Sequence, residues 1–200
     1  MPEHSSMYSY LNWTKERLDE MDATLASLEA KASQVKADSK AKADHLITDL
    51  KKRRDEFQVK VKAQAHAGEA ALQAIKTQLE PQWQAFEAHV KTYFETVGQQ
   101  IELQQATFRD VATAQVKAWR EAADKVHDAG AKVATEKRAN VDAAVKQMKA
   151  DAAEAEAQLQ KLKQAGKESW AALSAALAES RKAFDQANQK VSDELKRATN

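Results

Sequence analysis

The sequence predicts an all-α protein, and three observations lead to that prediction. Ala, Glu, Lys, Gln and Leu dominate the 200 residues, as they do in long helices. Four Gly and two Pro are too few for the turns of a β-sheet protein. Apolar residues recur every three or four positions, which is the period of one helix face. We therefore expect a single domain that forms an elongated antiparallel bundle or coiled coil of three, at most four, long helices.

Residues 7–79 are predicted to form the first helix. Leu11 and Leu18 begin a series of apolar positions seven residues apart, which is typical of a coiled-coil seam. The series weakens at Ser39 and resumes at Leu46 with a four-residue step. We interpret that step as a stutter inside a continuous helix rather than as a turn.

Pro81 is the clearest predicted boundary between helices. Proline cannot donate the backbone hydrogen bond that a helix interior needs, but its fixed φ suits a first turn. A second helix is therefore predicted over residues 81–129, with a kinked continuous helix through Pro81 as the alternative. Gly98 lies off the apolar stripe and is expected in mid-helix. Gly130 is expected to cap the helix end in the left-handed conformation.

A third helix is predicted over residues 131–197, with a break or bend at Gly166. Apolar residues continue at helical spacing on both sides of that glycine. A weak similarity between residues 79–90 and 166–177 also favours a joint there. The basic residues of the final turn suit the negative end of the helix dipole.

The charge pattern favours pairing between helices over binding of nucleic acid. The 31 basic and 30 acidic residues give no general attraction to a polyanion. The first 30 residues are mainly acidic and residues 31–66 are mainly basic, which is a candidate pairing code between helices or subunits. The basic run at residues 51–54 is interpreted as a solvated helix face, because acidic residues flank it and aromatic residues do not.

Neither a secretion signal nor a membrane span is recognisable in the sequence. The N-terminus has no basic start followed by a continuous apolar core. No apolar run approaches the roughly 18–20 residues that cross a bilayer. The absence of Cys fits a reducing compartment. We expect a cytoplasmic protein that is soluble, or at most peripheral to a membrane.

The sequence contains no recognisable catalytic or metal-binding motif. Asp124-x-x-His127 is the nearest approach to a helical di-iron motif, and His66-x-x-Glu69 has the reverse order. There is no HExxH, no GxSxG and no glycine-rich phosphate loop. We predict a protein that is not an enzyme and that has no cofactor and no metal site.

The aromatic residues are the candidate functional residues. At helical spacing in an Ala-rich chain, they form either an internal seam or an amphipathic face for a partner helix, a lipid monolayer or a polymer granule. The sequence leaves both interpretations open. The candidates for a partner or surface contact are Tyr8, Tyr10, Trp13, Trp83, Phe86, Tyr93, Phe94, Phe108, Trp119 and Trp170.

The C-terminal segment ESWAALSAALAESRKAFDQANQKVSDELKRA, with the Ala/Lys/Glu-rich helix before it, resembles bacterial coiled-coil proteins grouped with phasins and apolipoprotein-like helical proteins. The shared features are amphipathic helices, Ala-rich seams, scattered Trp and Phe, and no Cys. Resemblance to phasins implies coating of polyhydroxyalkanoate granules. Resemblance to apolipoproteins implies binding to lipid surfaces.

These observations together predict a non-enzymatic structural or scaffolding protein. Its amphipathic helices are expected to bind each other and a protein partner. A homodimer is expected because helices of unequal length would leave overhanging apolar seams. The alternatives are phasin-like or BAR-like binding to a granule or lipid surface, and an enzyme or metal site inside a bundle.

Overall fold

The computed structural model describes residues 3–64, 67–97, 100–133 and 135–199. Within these ranges the chain is all-α, as predicted, and a short 3₁₀ turn follows the first helix. The helices are 27 to 30 residues long, or about 40–45 Å at 1.5 Å per residue. They are α1 (Glu3–Lys31), α2 (Ala37–Ala63), α3 (Glu69–Val97), α4 (Ile101–Gly130), α5 (Thr135–Gln164) and α6 (Trp170–Thr199).

The prediction of three or four helices is wrong, because the described residues form six. The expected helix over residues 7–79 is divided into α1, α2 and the start of α3. Val35 takes an extended conformation between α1 and α2, with φ −70° and ψ 134°. The chain then reverses, so that Phe57 packs on Trp13 with ring centroids 6.3 Å apart. Burying such a side chain is worth about 1.5–3 kcal/mol, which one continuous rod would forgo.

The predicted boundary at Pro81 is also wrong, because Pro81 lies inside α3 and the alternative of a continuous helix applies. Its ring is exposed to solvent. A proline inside a helix costs about 3 kcal/mol. Leu79 and Trp83 are both buried on the inner face of α3, two residues to either side. Their burial offsets that cost and holds the helix together.

The glycines match the sequence predictions only in part. Gly98 itself lies outside the described residues, but α3 ends at Val97 and α4 begins at Ile101, so residues 81–129 do not form one helix. The break predicted at Gly166 is confirmed, and that glycine has a φ of 67°. Gly130 does end a helix, but it is not among the positive-φ residues.

Each half of the chain repeats the same three-helix arrangement. The buried face of α2 recurs in α5 with a shift of 98 residues, and the face of α3 recurs in α6 with a shift of 101 residues. The echo predicted between residues 79–90 and 166–177 has the wrong register, because Trp83 corresponds to Phe184 rather than to Trp170. The matching positions are Ala43, Ile47, Leu50 and Phe57 with Val141, Val145, Met148 and Ala155, and Leu72, Trp83 and Val90 with Leu173, Phe184 and Val191.

We call α1–α3 the N-terminal unit and α4–α6 the C-terminal unit. The first helices of the two units pack against each other and run antiparallel, since Ser27 contacts Thr107 and Lys15 contacts Glu121. Each second helix packs on the first and third helices of its own unit. The units differ in one respect. α6 packs on both α1 and α4, whereas in the described residues the backbone of α3 packs on α1 and α2 but not closely on α4.

The predicted charge pairing operates between helices of one chain. Lys51 of α2 forms an ion pair with Glu29 of α1, and Arg54 of α2 lies 2.9 Å from Asp22 of α1. The acidic start of the chain is thus paired with the basic segment that follows it. These pairs are partly exposed, so they guide the pairing more than they stabilise it.

The described helices are nearly equal in length, whereas the homodimer was expected from helices of unequal length. Few large apolar side chains of the described residues are exposed, the examples being Leu11, Val59 and Ile101. None of the helices, in the parts that the structure describes, is long and apolar enough to cross a membrane.

Gly130 provides a test of how closely α4 and α5 pack. A Cβ atom at this position would lie 2.9 Å from Cγ1 of Val141, whose β-branched side chain cannot turn away freely. We expect Gly130→Ala to lower the free energy of unfolding by about 1–2 kcal/mol in urea denaturation. Gly68→Ala is the control, because nothing lies within 4 Å of the added Cβ. Equal stability of the two variants would contradict the packing described.

Candidate functional site

Most of the aromatic candidates are buried inside the chain. Eight of the ten are less than 5% exposed, and only Tyr8 and Trp170 are half-buried. The buried eight are Tyr10, Trp13, Trp83, Phe86, Tyr93, Phe94, Phe108 and Trp119. In this conformation they form internal seams, so they could meet a lipid or a partner only if helices separate.

The structure divides these aromatics between the two units. Six of them pack in the core of the N-terminal unit, two from α1 and four from α3: Tyr10, Trp13, Trp83, Phe86, Tyr93 and Phe94. Trp119 packs against Phe184 at 5.4 Å in the core of the C-terminal unit, and its indole nitrogen donates to the Met148 carbonyl over 3.1 Å. Phe94 and Trp170 form a contact between the units, with ring centroids 4.4 Å apart.

A groove of about 890 Å³ lies between α3 and α6. Residues of α1 and α4, including Glu20 and Gln104, contribute to its floor. One end is closed by Phe94 and Trp170, and the other by Arg181 lying over the ring of Trp83. The groove therefore follows the boundary between the two units.

The groove exists because the two helices present side chains of different size. α3 contributes aromatic and aliphatic side chains such as Phe86 and Val90. α6 contributes Ala171, Ala175 and Ala178, which are exposed and too short to reach α3. The seam between the units is thus incompletely filled, which forfeits packing contacts that a closed seam would make.

Beside the groove, α1 and α6 are joined by polar pairs, which we call the polar ladder. All of the paired side chains are buried except that of Asp185, which is 26% exposed. α1 and α6 run antiparallel, so residue numbers rise along α1 and fall along α6 from one pair to the next. Two pairs are bidentate guanidinium–carboxylate contacts, a geometry that fixes orientation as well as distance. The pairs are Asn12 with Asn188 at 3.3 Å, Arg17 with Asp185 at 2.8 and 2.6 Å, and Glu20 with Arg181 at 3.1 and 2.7 Å.

Arg181 brings the four inner helices together. Besides its bond to Glu20 of α1, its Nη1 lies 3.1 Å from Glu87 of α3, and its guanidinium carbon is 4.6 Å from the centre of the Trp83 ring. Gln115 of α4 donates to the same Glu20 carboxylate over 3.0 Å. Burial alone would lower the pKa of Arg181, but Glu20 and Glu87 raise it above its usual value, so the charge is permanent.

Carboxylates outnumber guanidinium groups around the ladder, and two of these carboxyl groups have a raised pKa. Burial raises the pKa of Glu16 well above its ordinary value, against the opposing effect of Arg17. Burial likewise raises the pKa of Glu87, although Arg181 opposes it. The cluster consists of Glu16, Glu20, Glu87 and Asp185 with Arg17 and Arg181.

The sequence reading missed this cluster, although a signal was present. Arg181 lies between Leu177 and Phe184 on the apolar stripe of α6, and Arg17 follows Trp13 by four residues. Charged residues at such positions point toward the interior of a bundle. They were missed because only apolar residues were followed along the seams.

Asp124 and His127, the nearest approach to a metal-binding motif, do not form part of a metal site. His127 is exposed, and Asp124 lies 3.3 Å from Lys149. His66 lies outside the described residues. The structure shows no group of three or more His, Asp or Glu side chains placed to hold a metal ion among the residues it describes.

Comparison of the chain with protein-family models, with curated proteins and with solved structures finds no match.

The pKa of Glu16 makes the stability of the protein depend on pH. A carboxyl whose pKa is raised in the folded state stabilises the fold when protonated, and this contribution is lost as pH rises from its unfolded value, near 4.5, through the folded one. We expect Glu16→Gln, which imitates the protonated acid, to melt about 2–4 °C above the wild type at pH 8. The two proteins should converge toward acidic pH.

Glu179→Gln is the control for this measurement, since Glu179 is exposed on α6. Its melting temperature should follow the wild type at every pH. If Glu16→Gln were less stable than the wild type at pH 8, the ionised Glu16 would be a net stabilising group and the account of the cluster would be wrong.

Proposed function

We propose that this protein is a non-enzymatic, amphipathic-helix protein that opens along the boundary between α3 and α6 and binds an apolar particle surface with the aromatic faces thus uncovered. The observation that carries this proposal is the incomplete packing of that boundary. α3 does not pack closely on α4 in the described residues, and a groove separates it from α6. Because this boundary lacks close backbone contacts in the described residues, we expect separation to cost least there.

The energetics of burial favour the closed form in water and the open form at an apolar surface. Wetting Trp83, Phe86 and Phe94 would cost about 1.5–3 kcal/mol for each side chain fully uncovered. A lipid or polyester surface returns the same burial, because it removes the same area from water. The identical side chains thus serve as a core in solution and as a contact face on the particle.

Charge contributes little to the proposed binding. The formal net charge is +1, and basic residues of α2 such as Lys51 and Arg54 are paired with acidic residues. Binding should therefore depend weakly on salt and on anionic lipid content, unlike that of a polybasic protein. The resemblance to phasins and apolipoprotein-like proteins is in keeping with this mode, in which an apolar face covers a particle.

A quenching experiment with tryptophan tests which aromatics enter the surface. Two variants keep a single Trp, at position 83 or at position 119, with the other three replaced by Phe. Vesicles of zwitterionic phosphatidylcholine with brominated acyl chains should quench Trp83, which lines the groove, and spare Trp119, which lies in the core of the C-terminal unit. Both variants should float with vesicles or polyhydroxyalkanoate granules, with little change between about 0.05 and 0.5 M salt.

Three results would contradict the proposal. The first is recovery of the wild type free of both vesicles and granules. The second is loss of binding at high salt, which would point to charge. Equal quenching of Trp83 and Trp119 would show that the whole chain unfolds on the surface instead of opening at one boundary.

A second candidate function is self-association through the same groove. The exposed Ala171, Ala175 and Ala178 would allow the backbone of a helix from a second copy to approach closely. Sedimentation then shows a dimer for the wild type and a monomer for Ala175→Trp, which fills the groove. A monomeric wild type over the micromolar range removes this candidate and leaves the proposal of surface binding untouched.

A further inference from the structure

We propose that the contact of Arg181 with Glu87 and Trp83 is a latch that keeps the α2–α3 hairpin closed against α6, while the contact of Arg181 with Glu20 is a fixed anchor. The inference deepens the proposed function and rests on it for its biological meaning. The latch itself is a property of the protein in water and can be tested there.

The repeat shows why α3 needs such a latch. Arg17 and Glu20 of α1 hold α6 through the polar ladder. The buried face of α1 recurs in α4 with a shift of 98 residues, since Trp13 and Met21 correspond to Val111 and Trp119. At this shift Arg17 and Glu20 correspond to Gln115 and Ala118, which are buried and carry no charge. α4 therefore offers α3 no counterpart of the ladder, and α3 depends on contacts across the groove to α6.

The two arms of Arg181 differ in their access to water. Glu20 has a side chain that is 1% exposed and is held in addition by Gln115. Glu87 has a side chain that is 41% exposed and lies on the rim of the groove. A contact at the rim can be replaced by water at low cost, whereas separating Glu20 from Arg181 would leave two buried charges unpaired. The Glu87 arm is consequently the one that releases first.

The α2–α3 hairpin has a natural axis for this movement. α2 is tied to α1 by the ring contact of Phe57 with Trp13 and by the ion pair of Arg54 with Asp22. If these contacts persist while Arg181 releases Glu87, the hairpin turns about α1 and the groove widens. The side chains uncovered are those that line the groove, such as Val90, and not those in the core of the C-terminal unit away from the groove, such as Val145.

Thiol labelling measures the opening directly, because the chain contains no Cys. Val90→Cys reports on the groove, and Val145→Cys reports on the core of the C-terminal unit. Both valines are 4% exposed in the closed structure. We expect the thiol of Val90→Cys to be labelled about fivefold faster when Glu87→Ala is also present. This ratio corresponds to the loss of one partly exposed hydrogen bond to a charged group. Labelling of Val145→Cys should be unchanged.

Two further variants identify the cause. Glu95→Ala removes a carboxylate from the same rim that pairs with Lys91 on its own helix, so labelling should stay at the wild-type rate. Glu87→Gln retains an oxygen that can accept the hydrogen bond from Arg181, so its rate should stay within about twofold of the wild type.

The proposal is overturned if Glu87→Ala labels no faster than Glu95→Ala, or if Glu87→Gln is as fast as Glu87→Ala. It is also overturned if both cysteines become equally reactive, since Glu87 would then stabilise the whole fold rather than one boundary. Vesicle flotation is scored separately on the wild type. If the labelling rates are as expected but the wild type does not float with vesicles, only the proposed function is contradicted. If the wild type floats but the labelling rates are not as expected, only this inference is contradicted.

Discussion

The polar ladder between α1 and α6 is the interaction on which the arrangement of the two units depends. Apolar seams made largely of Ala and Leu fit together in several registers, because their side chains are alike and the contact is not directional. Paired guanidinium and carboxylate groups fit in one register, since any slip along the helix would leave buried charges without partners. Arg17 with Asp185 and Glu20 with Arg181 thus select one docking of the C-terminal unit on α1.

The third helices of the two units, α3 and α6, are held differently because the ladder has no counterpart between α4 and α3. The two units share their burial pattern, yet the counterparts of Arg17 and Glu20 in α4 are Gln115 and Ala118. α6 is consequently fixed to both units, and α3 is left facing a groove. A symmetric protein with two ladders would close that boundary. The asymmetry leaves α6 in close contact with both units and α3 in close contact with one, which is the arrangement that the proposed opening at a single boundary requires.

The sequence predicted what depends on local periodicity. The all-α class, the break at Gly166 and the helix end at Gly130 follow from composition, spacing and helix-ending residues. The reversals near Val35 and before Glu69 were missed, because no strong helix breaker marks the first and a single Gly marks the second. Their cause is tertiary, since the apolar faces on either side can bury each other only if the chain turns back.

Pro81 and Arg181 also show that local sequence signals do not determine tertiary packing. Proline is a strong local signal, but the burial of Leu79 and Trp83 outweighs it in α3. Arg181 gives a weak local signal, and its significance comes from Glu20, which lies 161 residues away in the chain. The seam composition and the charge pairing of α2 with α1 were thus readable from the sequence, whereas the pairing of Arg181 with Glu20 was not.

A double-mutant cycle between Arg17 and Asp185 tests the central claim most directly. The free energy of unfolding is measured for the wild type, Arg17→Met, Asp185→Asn and the double variant. If this pair fixes the docking of the units, the coupling energy should be about 1.5 kcal/mol or more, as for other close pairs of charges at an interface. Additivity of the two single effects to within about 0.5 kcal/mol would show that the ladder does not hold the units together.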